Sequence, residues 1–174
     1  MLGDLSNVEF LKMIVPALGY SVLCGGIIGF ERGRRGSAAG MKTQVFIATG
    51  SAMFTVCSIV LCDDRGTGDA GRMIAQIVSG VGFLGAGTIM ARDRIIGLTT
   101  AAIIWVMASL GVIIGMGFGP AALVITTGMV ATIEIISQIE KRFVQTHTHE
   151  RRQHPPLAVA PPPPEAEKDQ RKSG

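Results

Sequence analysis

The sequence predicts an all-α membrane protein, a polytopic bundle of five transmembrane helices. Its 174 residues are 48% hydrophobic and only 17% charged, whereas charged residues make up about a quarter of a typical soluble domain. Five long apolar stretches hold only two charged residues, Lys12 and Glu134, of the chain's 16 basic and 13 acidic ones. A soluble domain of this size needs more charge to cover its large surface relative to its volume. The composition therefore indicates one membrane domain.

Each apolar stretch is long enough to form a transmembrane helix. The stretches cover residues 11–30, 43–62, 73–90, 97–114 and 119–139. A helix rises about 1.5 Å per residue, so roughly 20 residues cross a hydrocarbon core of about 30 Å. Strands of a membrane β-barrel would alternate apolar and polar residues, whereas these stretches are apolar on every face. Helices remain, because they satisfy every backbone polar group internally.

The distribution of Lys and Arg predicts an orientation with the N-terminus outside and the C-terminus inside. With five spans, residues 31–42, residues 91–96 and the C-terminal segment lie on one side of the membrane. Together they carry 13 of the 16 basic residues, and basic residues are enriched on the cytosolic side. The basic character therefore reflects topology, and we expect no nucleic-acid partner.

The C-terminal residues differ in composition from the rest of the chain. Residues 1–143 form the predicted transmembrane domain, and residues 144–174 a predicted disordered, proline-rich cytosolic tail containing Pro155, Pro156 and residues 161–164. Proline cannot continue a helix, and the segment has little apolar surface to bury. Its three histidines lack the supporting groups that orient metal-bound imidazoles. We therefore expect no metal or cofactor.

The third stretch ends in a glycine-rich segment that spans residues 80–87. It contains the dinucleotide-binding pattern G-x-G-x-x-G, but that pattern requires a preceding strand within a soluble unit, and nucleotide binding is therefore not expected. Small residues instead let membrane helices approach closely. The glycines for which we predict helix packing are Gly80, Gly82, Gly85 and Gly87. Small residues four apart recur in the pairs Gly25/Gly29, Gly82/Ala86 and Gly111/Gly115. A break of the third helix at these glycines, exposing carbonyls to a cavity, is the open alternative.

Polar residues also recur on the third stretch at helical spacing. They are Asp69, Arg72, Gln76 and Ser79. This spacing places them along one side of a helix. Polar side chains at membrane depth usually face protein or water, so this stripe either lines a path or bonds to another helix.

Glu31 lies directly at the end of the first apolar stretch. We expect its carboxylate to turn inward and pair with Arg32, Arg92 or Arg94, which lie on the same predicted side. Ionisable groups within membrane segments are often functional.

Several ordered motifs resemble the MgtC/SapB family of bacterial inner-membrane proteins. They are Gly29-Phe30-Glu31-Arg32, Ala39-Gly40-Met41-Lys42-Thr43, the segment Gly82 to Gly87, and Gly97-Leu98-Thr99-Thr100-Ala101-Ala102 followed by Trp105. The resemblance covers roughly residues 24–119. Two motifs differ from the family's usual pattern. Gly29-Phe30-Glu31-Arg32 stands where the family usually has Gly-Leu-Glu-Arg, and Met41-Lys42-Thr43 where it has Leu-Arg-Thr. The candidate functional polar positions are Glu31, Arg32, Thr43, Asp69, Arg72, Gln76 and Thr99.

The resemblance implies a role in Mg²⁺ homeostasis and in adaptation to low Mg²⁺, with a link to virulence and survival inside host phagocytes. It also implies an accessory or regulatory protein of the bacterial inner membrane. Such a protein would contact the lipid bilayer and either further copies of itself or another membrane protein, with ATP synthase as one such partner.

Two functions of different classes follow. In the first, the bundle is a regulator that binds another membrane protein. In the alternative, it is a small permease for Mg²⁺ or another ion, with Glu31, Asp69, Arg72, Gln76 and Thr99 lining its path. The regulator is favoured because a cation path ordinarily carries a carboxylate near the bilayer midplane. An enzyme is not expected, since the sequence shows neither a phosphate-binding loop nor a nucleophile paired with a base.

Overall fold

The computed structural model describes residues 7–65, 69–91 and 95–151, and this part of the chain forms five α-helices and two short strands. The helices are α1 (Asn7–Arg34), α2 (Met41–Arg65), α3 (Ala70–Gly87), α4 (Leu98–Gly115) and α5 (Gly119–Arg151). Strand β1 (Met90–Ala91) pairs antiparallel with β2 (Ile95–Ile96). The predicted helical bundle is confirmed.

Four of these helices are long and apolar enough to cross a membrane. They are α1, α2 as far as Cys62, α4, and α5 as far as Glu140. The third predicted span corresponds to α3, which is as long as α4, at 18 residues, but carries Arg72 and Gln76. It is not among the four helices that are apolar enough. The count of five spans, and the orientation that depends on an odd number, stay predictions.

Two glycines let α1 pack directly on the backbone of α2. A Cβ atom added at Gly25 would lie 2.6 Å from the Cα of Val45, and one added at Gly29 would overlap the Cα of Met41. Real Cβ atoms do not approach a backbone atom so closely, so only glycine fits. The predicted pair Gly25/Gly29 is therefore confirmed as a close helix contact.

A second glycine pair packs α4 on the opposite half of α2. A Cβ at Gly115 would lie 2.6 Å from the carbonyl oxygen of Ala52, and one at Gly111 would overlap the carbonyl oxygen of Ala48. Close backbone approach through small residues is how membrane helices maximise van der Waals contact. Helix α2 thus lies between α1 and α4, and the predicted pair Gly111/Gly115 is also confirmed.

The glycines of α3 do not make such contacts within the chain. Cβ atoms added at Gly80, Gly82 and Gly87 would meet nothing within 4 Å, and one at Gly85 would make an ordinary contact of 3.7 Å with Ala101. Close packing within the described chain therefore does not require these glycines, and a role for them in helix packing, within a bundle or an oligomer, stays a prediction. Nor is α3 broken, since the helix is continuous to Gly87. The reason is that α3 turns its bulkier residues, among them Val81, toward α4.

Two buried clusters hold the bundle together. The larger joins α1, α2, α4 and the start of α5, and the smaller joins the α1–α2 connection to α3 and α4. Members of the larger cluster include Cys24, Ile28, Ala48, Met107 and Ala122, and the smaller consists of Ala39, Val81, Ile104 and Ala108.

The chain divides into two compact units, Met1–Ile133 and Glu134–Gly174. In the second unit α5 continues to Arg151, eight residues past the predicted end of the transmembrane domain at residue 143, and the division into a transmembrane domain and a disordered tail stays a prediction. Residues 144–151 include no proline, the first proline of the predicted tail being Pro155, and their composition is compatible with a helix. The remaining predicted tail, residues 152–174, lies outside the described residues.

Candidate functional site

The C-terminal end of α1 places two charged residues inside the protein. The side chain of Glu31 is 11% exposed and its carboxylate forms an ion pair with the guanidinium of Arg35, one helical turn later. Arg32 is only 8% exposed. Its Nε atom has no hydrogen-bond acceptor among the described residues. Burying a charge costs free energy unless the charge is paired. The burial of Glu31 and Arg32 therefore marks this end of α1 as a candidate site.

The observed partner of Glu31 differs from the expected ones. Arg35 provides the pairing guanidinium, at the i, i+4 spacing that brings helical side chains together. Arg92 and Arg94 lie outside the described residues. Glu31 lies in the last turn of α1 and Arg35 directly follows the helix, so the pair holds the carboxylate at this helix end.

The beginning of α2 adds a buried amide. Gln44 is 1% exposed. Its Nε2 atom donates a hydrogen bond of 3.3 Å to the carbonyl oxygen of Ala39, while its Oε1 atom receives none within the described chain. An unpaired acceptor in the interior costs about 1 to 3 kcal/mol, so this oxygen is a place where water or a ligand would bind favourably.

The beginning of α4 closes the same end of the bundle. The hydroxyls of Ser37, in the α1–α2 connection, and Thr100, in α4, are 3.2 Å apart and form a hydrogen bond. We call Glu31, Arg32, Ser37, Gln44 and Thr100 the Glu31 cluster. It lies where the end of α1 and the starts of α2 and α4 come together, and Ser37, Gln44 and Thr100 are members that the sequence did not identify.

The local backbone of Gly97 explains how α4 begins there. Gly97 has a φ of +92°, and it precedes the first residue of the helix. A Cβ at this position would also overlap the carbonyl oxygen of Thr88, so both conformation and space require glycine. The helix then points Thr100 into the bundle and leaves Thr99, a predicted site residue, exposed.

The polar stripe of α3 lies on a different surface. Asp69 caps the helix, since its Oδ1 atom accepts a hydrogen bond of 2.8 Å from the backbone N–H of Gly71. Arg72, Gln76 and Ser79 are exposed on the side of α3 away from the buried Val81. Arg72, Gln76 and Ser79 thus lie along one side of α3, and this side faces outward.

The structure places the residues of the proposed ion path near both ends of α2. Glu31 lies at the end of α1 next to the start of α2, whereas Asp69 and Arg72 follow the far end of α2. An open groove of about 820 Å³ lies between α2 and α3, and of the candidate polar positions in the described chain Thr43 and Gln76 line it. The described residues also include no group of three or more His, Cys, Asp or Glu side chains able to hold a metal ion.

Comparison with known proteins identifies the family to which this bundle belongs. The sequence model of the MgtC family matches residues 18–142, a region that contains the Glu31 cluster and the whole of α3. This chain is a member of the MgtC family. Its four apolar helices and this membership together make it a membrane protein.

Individual relatives agree with the family match. The chain is 39% identical to "Putative magnesium transporter YhiD" of Escherichia coli K12 over 147 residues, which cover 81% of this chain and 66% of the relative. It is also 39% identical to "Protein MgtC" of Salmonella typhimurium strain 14028s over 126 residues, which cover 72% of this chain and 53% of the relative. The chain thus spans between about half and two thirds of the curated relatives. No solved structure matches it.

Proposed function

We propose that this protein is an accessory or regulatory protein of the bacterial inner membrane, which supports Mg²⁺ homeostasis by binding other membrane proteins. Membership of the MgtC family and the magnesium-related name of the Escherichia coli relative support the link to Mg²⁺. The partner would be a second copy of the chain or another membrane protein, with the ATP synthase as a specific candidate. We expect the protein to act when Mg²⁺ is scarce and the cell must adapt to it. Its physiological role would then be to support survival inside host cells.

The outward side of α3 is the observation that carries this proposal. We call this surface the α3 outer face; it comprises Arg72, Ala75, Gln76, Ser79, Gly82, Phe83 and Ala86, all of which are exposed. Polar side chains exposed to hydrocarbon lack partners, which is why such residues in membrane segments normally face protein or water. A protein that covers this face would provide those partners.

The small residues of the α3 outer face fit a contact between helices of different molecules. Ala75, Gly82 and Ala86 are open on this face, and a Cβ at Gly82 would meet no atom of the chain within 4 Å. Small residues permit close approach of a second helix. In this proposal the G-x-G-x-x-G segment packs against a helix of a second molecule. Phe83, which is 83% exposed, is the bulky side chain available to that partner.

Two buried hydroxyls of the bundle favour a regulator over a permease. The hydroxyl of Thr55 donates to the carbonyl oxygen of Ser51 at 2.8 Å, and that of Thr126 donates to the carbonyl oxygen of Ala122 at 2.7 Å. These buried hydroxyls thus bond within their own helices. A cation pathway would need polar groups that replace the hydration shell of the ion along its route.

The proposal is tested by growth of a strain that depends on this protein at low Mg²⁺ concentration. We expect Gln76→Leu and Arg72→Gln to reduce growth at an unchanged level of protein in the membrane, because they change the α3 outer face without touching the core. Thr127→Val is the matched control: Thr127 is an exposed polar residue of α5 whose hydroxyl bonds to carbonyl oxygens of its own helix. Full growth of both α3 variants would contradict the proposal.

The permease alternative is separated by measurement of Mg²⁺ uptake into liposomes that contain the purified protein. A regulator gives uptake no greater than that of protein-free liposomes. Mg²⁺ uptake that requires the protein and is lower in the Gln76→Leu variant would show that the protein transports Mg²⁺. The permease would then replace the regulator as the proposed function.

A further inference from the structure

The groove between α2 and α3 has two walls built to the same pattern. On α2 the wall is formed by Phe46 and Phe54 with Gly50 between them, and on α3 by Met73 and Leu84 with Gly80 between them. Cβ atoms at Gly50 and Gly80 would meet nothing within 4 Å. The groove therefore exists because both helices carry glycine in the middle of a wall of large apolar side chains.

The one charged residue that lines this groove, Lys42, lies at one end, while the uncharged Ser51 and Gln76 line it farther along. Lys42 and Thr43, in the first turn of α2, line that end together with Thr88, which follows α3. Lys42 is exposed there and belongs to the segment of the chain predicted to be cytosolic. From Lys42 to Phe54 the groove follows 12 residues of α2, a distance of about 18 Å at the helical rise per residue.

We infer that this groove binds one anionic phospholipid, with its phosphate at Lys42 and an acyl chain between α2 and α3. The distance from Lys42 to Phe54 is close to the thickness of one leaflet, about 15 Å of a hydrocarbon core of about 30 Å. The volume of about 820 Å³ lies within the range of cavities that bind organic ligands, about 300 to 1,000 Å³. The ammonium of Lys42 provides the complementary charge.

A lipid fits this groove better than a transmembrane helix of a partner. A spanning helix would need a track across both leaflets, whereas this groove covers about half of that distance. Apolar contact alone does not select an occupant, because bilayer lipid is as apolar as the walls. Selection must therefore come from the charge at Lys42 and from the shape provided by Gly50 and Gly80. Gln76 lines both the groove and the α3 outer face, whereas Arg72 belongs to the α3 outer face and not to the groove.

The inference is tested by native mass spectrometry of the protein released from nanodiscs that contain equal amounts of phosphatidylglycerol and phosphatidylcholine. We expect the wild-type protein to retain one phosphatidylglycerol molecule in preference to phosphatidylcholine. Lys42→Gln should reduce that preference about fivefold, the effect of one basic side chain at a membrane surface. The charge control is Lys12→Gln, at the opposite end of the bundle, which should leave the preference unchanged.

Two glycine variants test whether the lipid occupies the groove. Gly80→Leu fills the groove and should abolish retention of the lipid, and Gly50→Leu should do the same from the opposite wall. Gly82→Leu makes the same change two residues away, on the α3 outer face, and should retain it. Both positions have open space for the added side chain, so the variants are expected to fold.

Equal retention in the Gly80→Leu and Gly82→Leu variants, or equal retention of the two lipids by the wild-type protein, would overturn the inference. A cross-link formed in the membrane from a photoreactive residue at position 80 to another protein would overturn it as well, since a partner would then occupy the groove. These outcomes are independent of growth at low Mg²⁺, and failure of the lipid site is therefore distinguishable from failure of the proposed function.

Discussion

Replacement of Gly25 by Ala should destabilise the bundle, because this single methyl group has no space between α1 and α2. The added Cβ would lie 2.6 Å from the Cα and 2.8 Å from the backbone N of Val45, and 3.0 Å from the carbonyl carbon of Gln44. Non-bonded carbon atoms prefer separations of about 3.5 to 4.0 Å. All three neighbours are backbone atoms, so no side chain can rotate away and the helices themselves must move apart by about 1 Å.

The neighbouring glycine provides a control for the same substitution. A Cβ at Gly26 would meet nothing within 4 Å, and both replacements gain the same helix propensity, up to about 1 kcal/mol. The difference between Gly25→Ala and Gly26→Ala therefore isolates the cost of overpacking, about 1 to 3 kcal/mol. The separation of α1 from α2 would also weaken contacts of neighbouring buried residues such as Cys24 and Ile28.

The assay is the free energy of unfolding of each variant in mild detergent, measured by denaturant titration with helical circular dichroism as the signal. We expect Gly26→Ala to equal or exceed the wild-type protein and Gly25→Ala to fall below it by at least about 1 kcal/mol. Equal free energies for the two variants would show that α1 and α2 are not in backbone contact at Gly25, and would refute this description of the interface.

Two smaller changes test the ends of the helices. Asp69→Ala removes the side-chain cap of α3 and should cost about 1 kcal/mol of unfolding free energy, whereas Asp69→Asn should restore it because Asn caps helices equally well; equal loss in both variants would indicate that the negative charge and not the cap matters. Thr100→Val removes the hydrogen bond to Ser37 and should lower the free energy of unfolding by about 1 kcal/mol, with the exposed Thr99→Val as its control; an equal effect of the two would contradict the buried contact.

The sequence was sufficient to predict the helices and part of their packing. Apolar length alone predicts α1, α2, α4 and α5, because a membrane span must be continuous and apolar. Pairs of small residues four apart predicted the contacts at Gly25 and Gly111, since such pairs place two gaps on one helix face. The same pattern at Gly82 does not produce a close contact within the chain, because that depends on how α3 is rotated in the bundle.

The buried polar site was only partly predictable. The position of Glu31 against an apolar stretch indicated its burial, but the pairing residue, Arg35, was missed although the i, i+4 spacing points to it. Gln44 and Thr100 are single polar residues beside apolar segments, and their burial depends on contacts with distant parts of the chain, which local patterns do not reveal. The helical extension to Arg151 was missed because composition separates apolar from polar residues more sharply than helix from coil.

The central claim, that another membrane protein covers the α3 outer face, is tested most directly by photo-cross-linking in living cells at low Mg²⁺. A photoreactive amino acid at Phe83, which is 83% exposed, should form a cross-link to a second copy of the chain or to another membrane protein. The control position is Val124 on α5, 71% exposed, where we expect reaction with lipid only. Cross-links to protein at Phe83 but not at Val124 support the account, and lipid adducts alone at both positions would contradict it.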